Sequence, residues 1–265
     1  MPKPRPIAIT PALCVAICLG APAAGARVQD EPPVERALRD NEPRPWKIQF
    51  EPAVWYAALG GDLNVRGAGR ADAGDLNISD PEANPFGELH FRADDLTFTL
   101  SGFGFSVDGR SSALGETHTS VDLASVDATI GHNVWRWNPG NDASDVHLGL
   151  HVYAGARMFH MDFEQRIDGQ RLTDSDVWVH PIVGGKLEAE LTRRFSADLA
   201  LDAGVMPVSS RESYSVSVIV GFQWRPHDNV GAQIGFRQMF FEVDNDDTKF
   251  TGSLGGLIGS LVIRF

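Results

Sequence analysis

The chain has 265 residues, of which 43% are hydrophobic and 22% are charged, and its formal net charge is -12. This composition supports one or two folded domains and excludes a chain that is disordered throughout. The acidic balance also argues against a basic surface that binds phosphates, so we expect no nucleic-acid partner.

Residues 1–26 have the layout of a cleaved secretory signal peptide. A short basic region precedes an apolar run from Ile7 to Leu19, and Ala24-Gly25-Ala26 supplies a small-x-small cleavage site. Both cysteines of the chain lie in this segment. We therefore expect an exported mature chain with no disulfide and no thiol nucleophile. Residues 27–45, rich in proline and charge, are predicted to be a disordered periplasmic linker.

Apolar residues recur at every second position along the rest of the chain. Between Ser213 and Trp224 the even positions are all Tyr, Val, Phe or Trp, whereas the odd positions are mostly Ser, Gly or Gln. Period two indicates β-strands, and no apolar run after residue 26 is long enough for a transmembrane helix. The pattern predicts ten strands, at about 46–60, 85–92, 95–108, 117–136, 145–162, 175–192, 195–207, 212–225, 229–243 and 249–265.

The alternation changes phase near Ser101–Gly102 and Ala124–Ser125, and we interpret both changes as β-bulges. Short connections separate some predicted strands and longer polar ones separate others. Short periplasmic turns, longer outer loops and an even strand count are typical of bacterial outer-membrane barrels. An eight-stranded barrel is the alternative if the segments 85–92 and 95–108 are irregular. The short connections lie at 93–94, 193–194 and 226–228, and the long ones include 61–84, 109–116 and 163–174.

Alternation alone does not say which face of a barrel is buried, because soluble and membrane barrels are opposite in this respect. Several predicted strands exceed the roughly 9–11 residues that a tilted strand needs to cross a bilayer. Aromatic residues also lie near strand ends on the apolar faces, as in the girdles of membrane barrels. These aromatic residues are Trp46, Tyr56, Trp135, Tyr214, Trp224 and Phe265.

The last strand ends in an aromatic residue, Phe265, which shares a face with Leu261 and Ile263. This end, together with Ala154-Gly155-Ala156-Arg157 and Gly235-Phe236-Arg237, resembles the small porin-like outer-membrane β-barrels, the broad group that contains the OmpA-type transmembrane domain. The resemblance covers residues 46–265. It implies an all-β, closed antiparallel transmembrane barrel in the bacterial outer membrane, in contact with lipid and lipopolysaccharide. It also implies that Phe265 is an assembly signal for the barrel assembly machinery.

The polar faces of the predicted strands carry charges at mid-strand. We expect these charges to line the lumen. A salt-bridged plug is the favoured interpretation, because barrels of about eight strands are filled by side chains. A narrow path for small solutes is the alternative. The charged residues are Arg157, Lys186, Glu188, Glu190, Asp198, Asp202 and Arg237.

Candidate catalytic residues are few. His160 and Asp162 share a face near the outer end of a strand, as in the His/Asp site of omptin proteases, but a second aspartate pair is missing. His147 and His151 share a lumen face without an identifiable serine and carboxylate. The acidic segment 244–247 lacks the glycine and distal glutamate of an EF-hand. We therefore expect a non-enzymatic barrel without cofactor or metal, with an omptin-like or lipid A-modifying rim hydrolase as the alternative.

Overall fold

The computed structural model describes residues 47–65, 69–93, 95–111, 117–137, 146–167, 170–206, 213–244 and 248–265. The predicted signal peptide, the predicted linker at 27–45 and Trp46 lie outside the described residues. No helix in these ranges is long and apolar enough to cross a membrane.

The described residues form eleven antiparallel strands. Ten of them close into a barrel because the last strand, β11, pairs with the first, β1. The remaining strand, β2, is short and pairs only with the end of β1. The strands are β1 (Ile48–Val65), β2 (Gly69–Asp72), β3 (Glu82–Ala93), β4 (Leu96–Ser111), β5 (Thr117–Trp137), β6 (His147–Ile167), β7 (Gln170–Thr192), β8 (Phe195–Val205), β9 (Tyr214–His227), β10 (Val230–Asp244) and β11 (Thr248–Arg264).

The ten-stranded prediction is confirmed, and the eight-stranded alternative is wrong. The two strands in question, β3 and β4, pair without interruption from Phe86 opposite Phe103 to Ala93 opposite Leu96. The loop predicted at 163–174 is also wrong, because β6 continues to Ile167 and β7 begins at Gln170. Polar residues favour a loop here in the sequence, but Arg166, Arg171 and Thr173 lie exposed on the outer side of two long strands.

One end of the barrel carries the turns at 193–194 and 228–229. We assign it to the periplasm, because short turns lie on that side in outer-membrane barrels. In the half next to this end, hereafter the periplasmic half, the outward face is apolar. On β7, for example, Val179, Val183 and Leu187 point outward and are 49%, 65% and 42% exposed. A continuous exposed apolar surface of this kind is stable only against lipid.

Exposed aromatic side chains border this apolar belt on both sides. The set near the periplasmic end includes Trp135 and Trp137, whose rings stack at 6.2 Å. Phe91 and Phe98 lie beside each other on neighbouring strands at the same end. Tyr56, Tyr214 and Phe240 lie on the other side. Two aromatic girdles are the arrangement expected at the two interfaces of a bilayer.

In the other half of the barrel, hereafter the extracellular half, the two faces exchange character. On β4, Leu96, Phe98 and Leu100 point outward and are exposed. Further along the same strand, Phe103 and Phe105 point inward and are buried. The strand therefore carries its apolar residues outside near the periplasm and inside near the extracellular end.

This exchange explains the phase changes in the sequence, and the two predicted bulges are wrong. Strands β4 and β5 pair at every position from Leu96 opposite His132 to Ser111 opposite Thr117. The apolar residues change face while the backbone ladder stays regular. The register shifts of the described strands lie elsewhere, between Asn133 and Trp135, Glu190 and Thr192, and Val230 and Ala232.

The interior of the extracellular half is a packed apolar core. Trp55, Phe159 and Phe241 are at most 1% exposed, and the rings of Phe159 and Phe241 stack at 5.8 Å. The segment 73–78, which follows β2, adds Leu76 and Ile78 to the same cluster. We call this set of residues the apolar core. Its members are Trp55, Ala57, Leu59, Ala73, Leu76, Ile78, Phe86, Phe103, Phe105, Val107, Val121, Leu123, Phe159, Met161, Phe163, Trp178, Met239, Phe241, Phe250, Leu254 and Ile258.

The outer face of this half is polar. Glu164 on β6 accepts hydrogen bonds from Arg166 at 2.9 Å and Arg171 at 2.7 Å. Desolvation raises the pKa of the Glu164 carboxyl, but the hydrogen bonds from the two arginines outweigh it and hold the pKa below its usual range. A polar exterior around an apolar interior is the pattern of a soluble barrel, so this half is suited to water rather than lipid.

Candidate functional site: the periplasmic cavity

A cavity occupies the lumen of the periplasmic half, directly below the apolar core. Its empty volume, including the part open to solvent, is about 1340 Å³. Arg92 and Arg264, which lie next to the periplasmic ends of their strands, belong to its wall, so the cavity reaches that end of the barrel. Six of the seven charged residues predicted to line the lumen belong to the cavity wall: Arg157, Lys186, Glu188, Asp198, Asp202 and Arg237. The remaining one, Glu190, accepts a hydrogen bond from Arg225 at 3.1 Å.

Arg157 is the most connected of these charges. Its Nε and Nη2 atoms donate to the two carboxylate oxygens of Asp127 at 2.9 and 2.8 Å. Its Nη1 donates to Asp202 at 2.8 Å. The guanidinium is 1% exposed, and both carboxylates are below 10%. This buried triad lies at the boundary between the cavity and the apolar core, whose Phe86 and Ile258 also line the cavity. Sequence reasoning missed Asp127, which shares the inward face with Ser125 and Thr129, because the phase change near Ala124–Ser125 was interpreted as a bulge.

Arg237 lies at the same level and faces aromatic rings. Its guanidinium carbon is 5.3 Å from the ring centres of Trp55 and Phe86 and 5.4 Å from that of Phe103. The nearest carboxylate in the described chain is that of Asp127, at 3.9 Å. The rings supply cation–π attraction to a charge that burial would otherwise penalise.

Lys186 lies lower in the cavity and is more exposed. Its partner across the ladder is Ala200, and its Nζ is 3.9 Å from the carboxylate of Asp198. Asp202 lies opposite Gly184 in the same ladder and forms its ion pair with Arg157. Two features fix this pairing: the two-residue turn at 193–194 sets Thr192 opposite Phe195, and a register shift between Glu190 and Thr192 then changes the pairing by one residue.

A second cluster on the opposite wall joins Glu51, Glu88 and His90. The Nε2 atom of His90 is 3.2 Å from Glu88 and 3.5 Å from Glu51. The Nδ1 atom of the same ring lies 2.9 Å from the hydroxyl of Thr99. Sequence reasoning missed this cluster. The available signal was the alternation of Glu88, His90 and Arg92, which resembles that of the charges on β7.

His180 forms the one serine–histidine arrangement among the hydrogen bonds of the described residues. Its Nε2 lies 2.7 Å from the hydroxyl of Ser213, and its Nδ1 lies 3.2 Å from that of Ser215. The ring is fully buried, and both of its nitrogens face hydroxyl groups rather than a carboxylate. The arrangement therefore satisfies the polar atoms of a core histidine and lacks the acid of a catalytic triad.

The other candidates from the sequence lie apart from the cavity or lack partners for catalysis. His160 and Asp162 form a pair at 3.1 Å, but both side chains point out of the barrel and are 44% and 50% exposed. His151 lines the cavity and faces Glu188 at 3.7 Å, whereas His147 is exposed at the start of β6. Of the acidic segment 244–247, residues 245–247 lie outside the described residues.

A closed antiparallel ring, an apolar outer belt between two aromatic girdles and a polar lumen inside that belt define a transmembrane β-barrel of the bacterial outer-membrane type. The chain is therefore an outer-membrane protein in contact with lipid through its periplasmic half.

No family model and no curated protein sequence matches the chain. Among solved structures it is similar to Neisserial surface protein A, with 14% identity, 82% of this chain and 97% of that chain covered, and a TM-score of 0.37. It is similar to Ail of Yersinia pestis, with 14% identity, 83% and 99% covered, and a TM-score of 0.37. It is also similar to the outer membrane protease OmpT of Escherichia coli, with 9% identity, 84% and 98% covered, and a TM-score of 0.42. Similarities this low assign no activity.

Proposed function

We propose that the protein is a non-enzymatic barrel of the cell envelope that does not conduct ions through its lumen. The observation that carries this proposal is the apolar core in the extracellular half. Trp55, Phe159 and Phe241 fill the cross-section above the cavity, and close-packed side chains leave no room for hydrated ions.

The charged residues support a closed lumen as well. Arg157 is fully paired with Asp127 and Asp202 directly below the apolar core. An ion crossing this level would have to displace a buried, hydrogen-bonded charge, which costs several kcal/mol. The proposed plug thus has two layers, one apolar and one ionic. The favoured interpretation from the sequence included only the ionic layer.

A porin-like path for small solutes is the second candidate, and the cavity favours it. Its charged walls reach the periplasmic end and would admit a solute from that side. Passage would then require the apolar core to open. A rim hydrolase has less support, because His160 and Asp162 face outward and His180 is enclosed.

Conductance in planar bilayers tests the proposal. The protein is folded into detergent, and altered gel migration without boiling verifies that the barrel is closed. We expect the wild type to give no steady conductance. We expect the triple variant Trp55→Ala, Phe159→Ala and Phe241→Ala, checked for folding in the same way, to give ion steps. A steady wild-type current would contradict the proposal and favour the porin-like candidate.

A further inference from the structure

We propose that Glu51, Glu88 and His90 bind a divalent transition-metal ion in the periplasmic cavity, with Zn²⁺ as the representative ion. One ligand atom from each residue can be chosen so that all three lie within 4.8 Å of one another. Bonds of about 2.0–2.1 Å in a tetrahedral site place neighbouring ligand atoms about 3.3–3.4 Å apart. The separations of 3.2 and 3.5 Å from the imidazole to the two carboxylates are close to this value.

The backbone places the three ligands on one rigid surface. Glu51 on β1 lies directly opposite Glu88 on β3. His90 follows Glu88 by two residues, so both side chains point into the lumen. Because all three residues belong to paired strands, the site needs no loop to close around the ion.

Neighbouring side chains orient the ligands. Thr99 lies opposite His90 on β4, and its hydroxyl is 2.9 Å from Nδ1 of the ring. Gln49 donates a hydrogen bond to Glu51. Arg264 in turn donates to Gln49 at 2.5 Å. Metal-binding histidines and carboxylates in proteins are typically held by such outer hydrogen bonds.

The cluster also favours a cation for electrostatic reasons. When the ring donates Nδ1–H to Thr99, Nε2 directs a lone pair toward two carboxylates. The negative charge of the carboxylates repels this lone pair, and a proton or a metal ion on Nε2 removes the repulsion. Imidazole and carboxylate ligands without a thiolate suit Zn²⁺ and its neighbours in the first transition row. Three protein ligands also leave a fourth position, which faces the cavity.

The cavity contains a matched control. His151 and Glu188 form a second imidazole–carboxylate pair, at 3.7 Å, on β6 and β7. Both histidines line the same cavity and have similar side-chain exposure, 12% for His90 and 14% for His151. The pair at His151 lacks, among the described residues, a second carboxylate of the kind that Glu51 supplies, so we expect it to bind metal much more weakly.

The experiment measures Zn²⁺ binding by the folded, full-length barrel in detergent, by calorimetry and by competition with a chromophoric chelator. We expect one Zn²⁺ per wild-type barrel. His90→Ala and the double variant Glu51→Gln with Glu88→Gln should lose this binding, whereas His151→Ala should keep it. Thr99→Val should weaken it by about 10–100-fold, the usual effect of removing an orienting partner. Gel migration without boiling verifies that each variant is folded.

Two results would overturn the proposal. The first is a folded wild-type barrel that binds no Zn²⁺, Mn²⁺ or Co²⁺ in competition with the chelator. That result would mean that the cluster is an ion pair between a protonated histidine and two carboxylates. The second is equal binding by His90→Ala and the wild type. Absorption of bound Co²⁺ supplies an independent readout, because loss of the imidazole ligand changes its visible spectrum.

Discussion

Arg157 on β6 donates a hydrogen bond at 2.8 Å to Asp202 on β8, across the intervening strand β7. The contact joins two residues that never meet in the backbone ladder. It is possible because both side chains point into a narrow lumen, where strands that are not neighbours lie within reach of each other. Because Arg157 also donates to Asp127 on β5, its guanidinium links the three strands β5, β6 and β8 of the barrel wall.

Arg157→Met should destabilise the barrel by about 3–5 kcal/mol, because it leaves two carboxylates buried without their cation. Urea unfolding of the protein in phospholipid vesicles measures the loss. Adding Asp127→Asn and Asp202→Asn should recover part of it, since the uncompensated charges are then gone. Additive losses in the triple variant would show that the three residues do not act as a unit.

Lys186→Met should have a much smaller effect, below about 1 kcal/mol. The ammonium lies 3.9 Å from Asp198, and the lysine side chain is 38% exposed, so water replaces most of what the ion pair supplies. The same urea experiment compares it with Arg157→Met. A loss as large as that of Arg157→Met would mean that Lys186 also compensates a buried charge.

Because the outward face is apolar in one half of the barrel and polar in the other, an outward-facing charge should reduce stability at one end of β7 and have little effect at the other. Val183 and Thr173 both point outward on β7, the first in the apolar belt and the second beyond it. Val183→Arg should cost about 2–4 kcal/mol in vesicles, as charges do near the bilayer midplane. Thr173→Arg should be close to neutral. Equal losses would contradict the assignment of the extracellular half to water.

Gly109→Ala should displace the segment 73–78 from the barrel. A Cβ at position 109 would lie 2.2 Å from the carbonyl oxygen of Leu76 and 2.5 Å from the side chain of Ile78. Faster cleavage of this segment by protease, in the folded protein, is the expected result. Gly104→Ala on the same strand is the control, since its Cβ would meet only Pro85, at 3.8 Å. Equal cleavage of both variants would contradict the packing described for Gly109.

Phe265→Asp should reduce the amount of barrel in the outer membrane, whereas Phe265→Tyr should not. The side chain is 70% exposed at the periplasmic end, and its backbone pairs with Ile48. An aspartate there replaces an aromatic interfacial group with a charge. Immunoblots of the outer-membrane fraction compare the variants. A normal amount of the Phe265→Asp variant in the outer membrane would contradict the prediction that this residue is an assembly signal.

Much of the barrel wall was predictable because a strand that faces lipid must alternate. The pattern of Tyr214, Val218 and Phe222 indicates both a strand and its outward face. The same rule predicted that Arg157 and Lys186 share the lumen with other charges. It did not predict their partners, because pairing across a lumen depends on strand tilt and side-chain reach rather than on sequence spacing.

The alternation of residue types predicted most strand positions, since period two follows from the pleat of any strand with one apolar face. Strand length and the aromatic residues near strand ends were also needed to predict that the apolar face meets the membrane. The change of phase near Ser101–Gly102 is visible in the sequence, but only the folded barrel showed that the apolar face moves there from outside to inside on a regular strand. Phe98 and Phe103 are five residues apart on one regular strand, yet one faces lipid and the other the core. Ring closure likewise decided which polar residues meet. Glu51 and His90 are far apart in sequence and become neighbours because β1 and β3 pair, which no local pattern encodes.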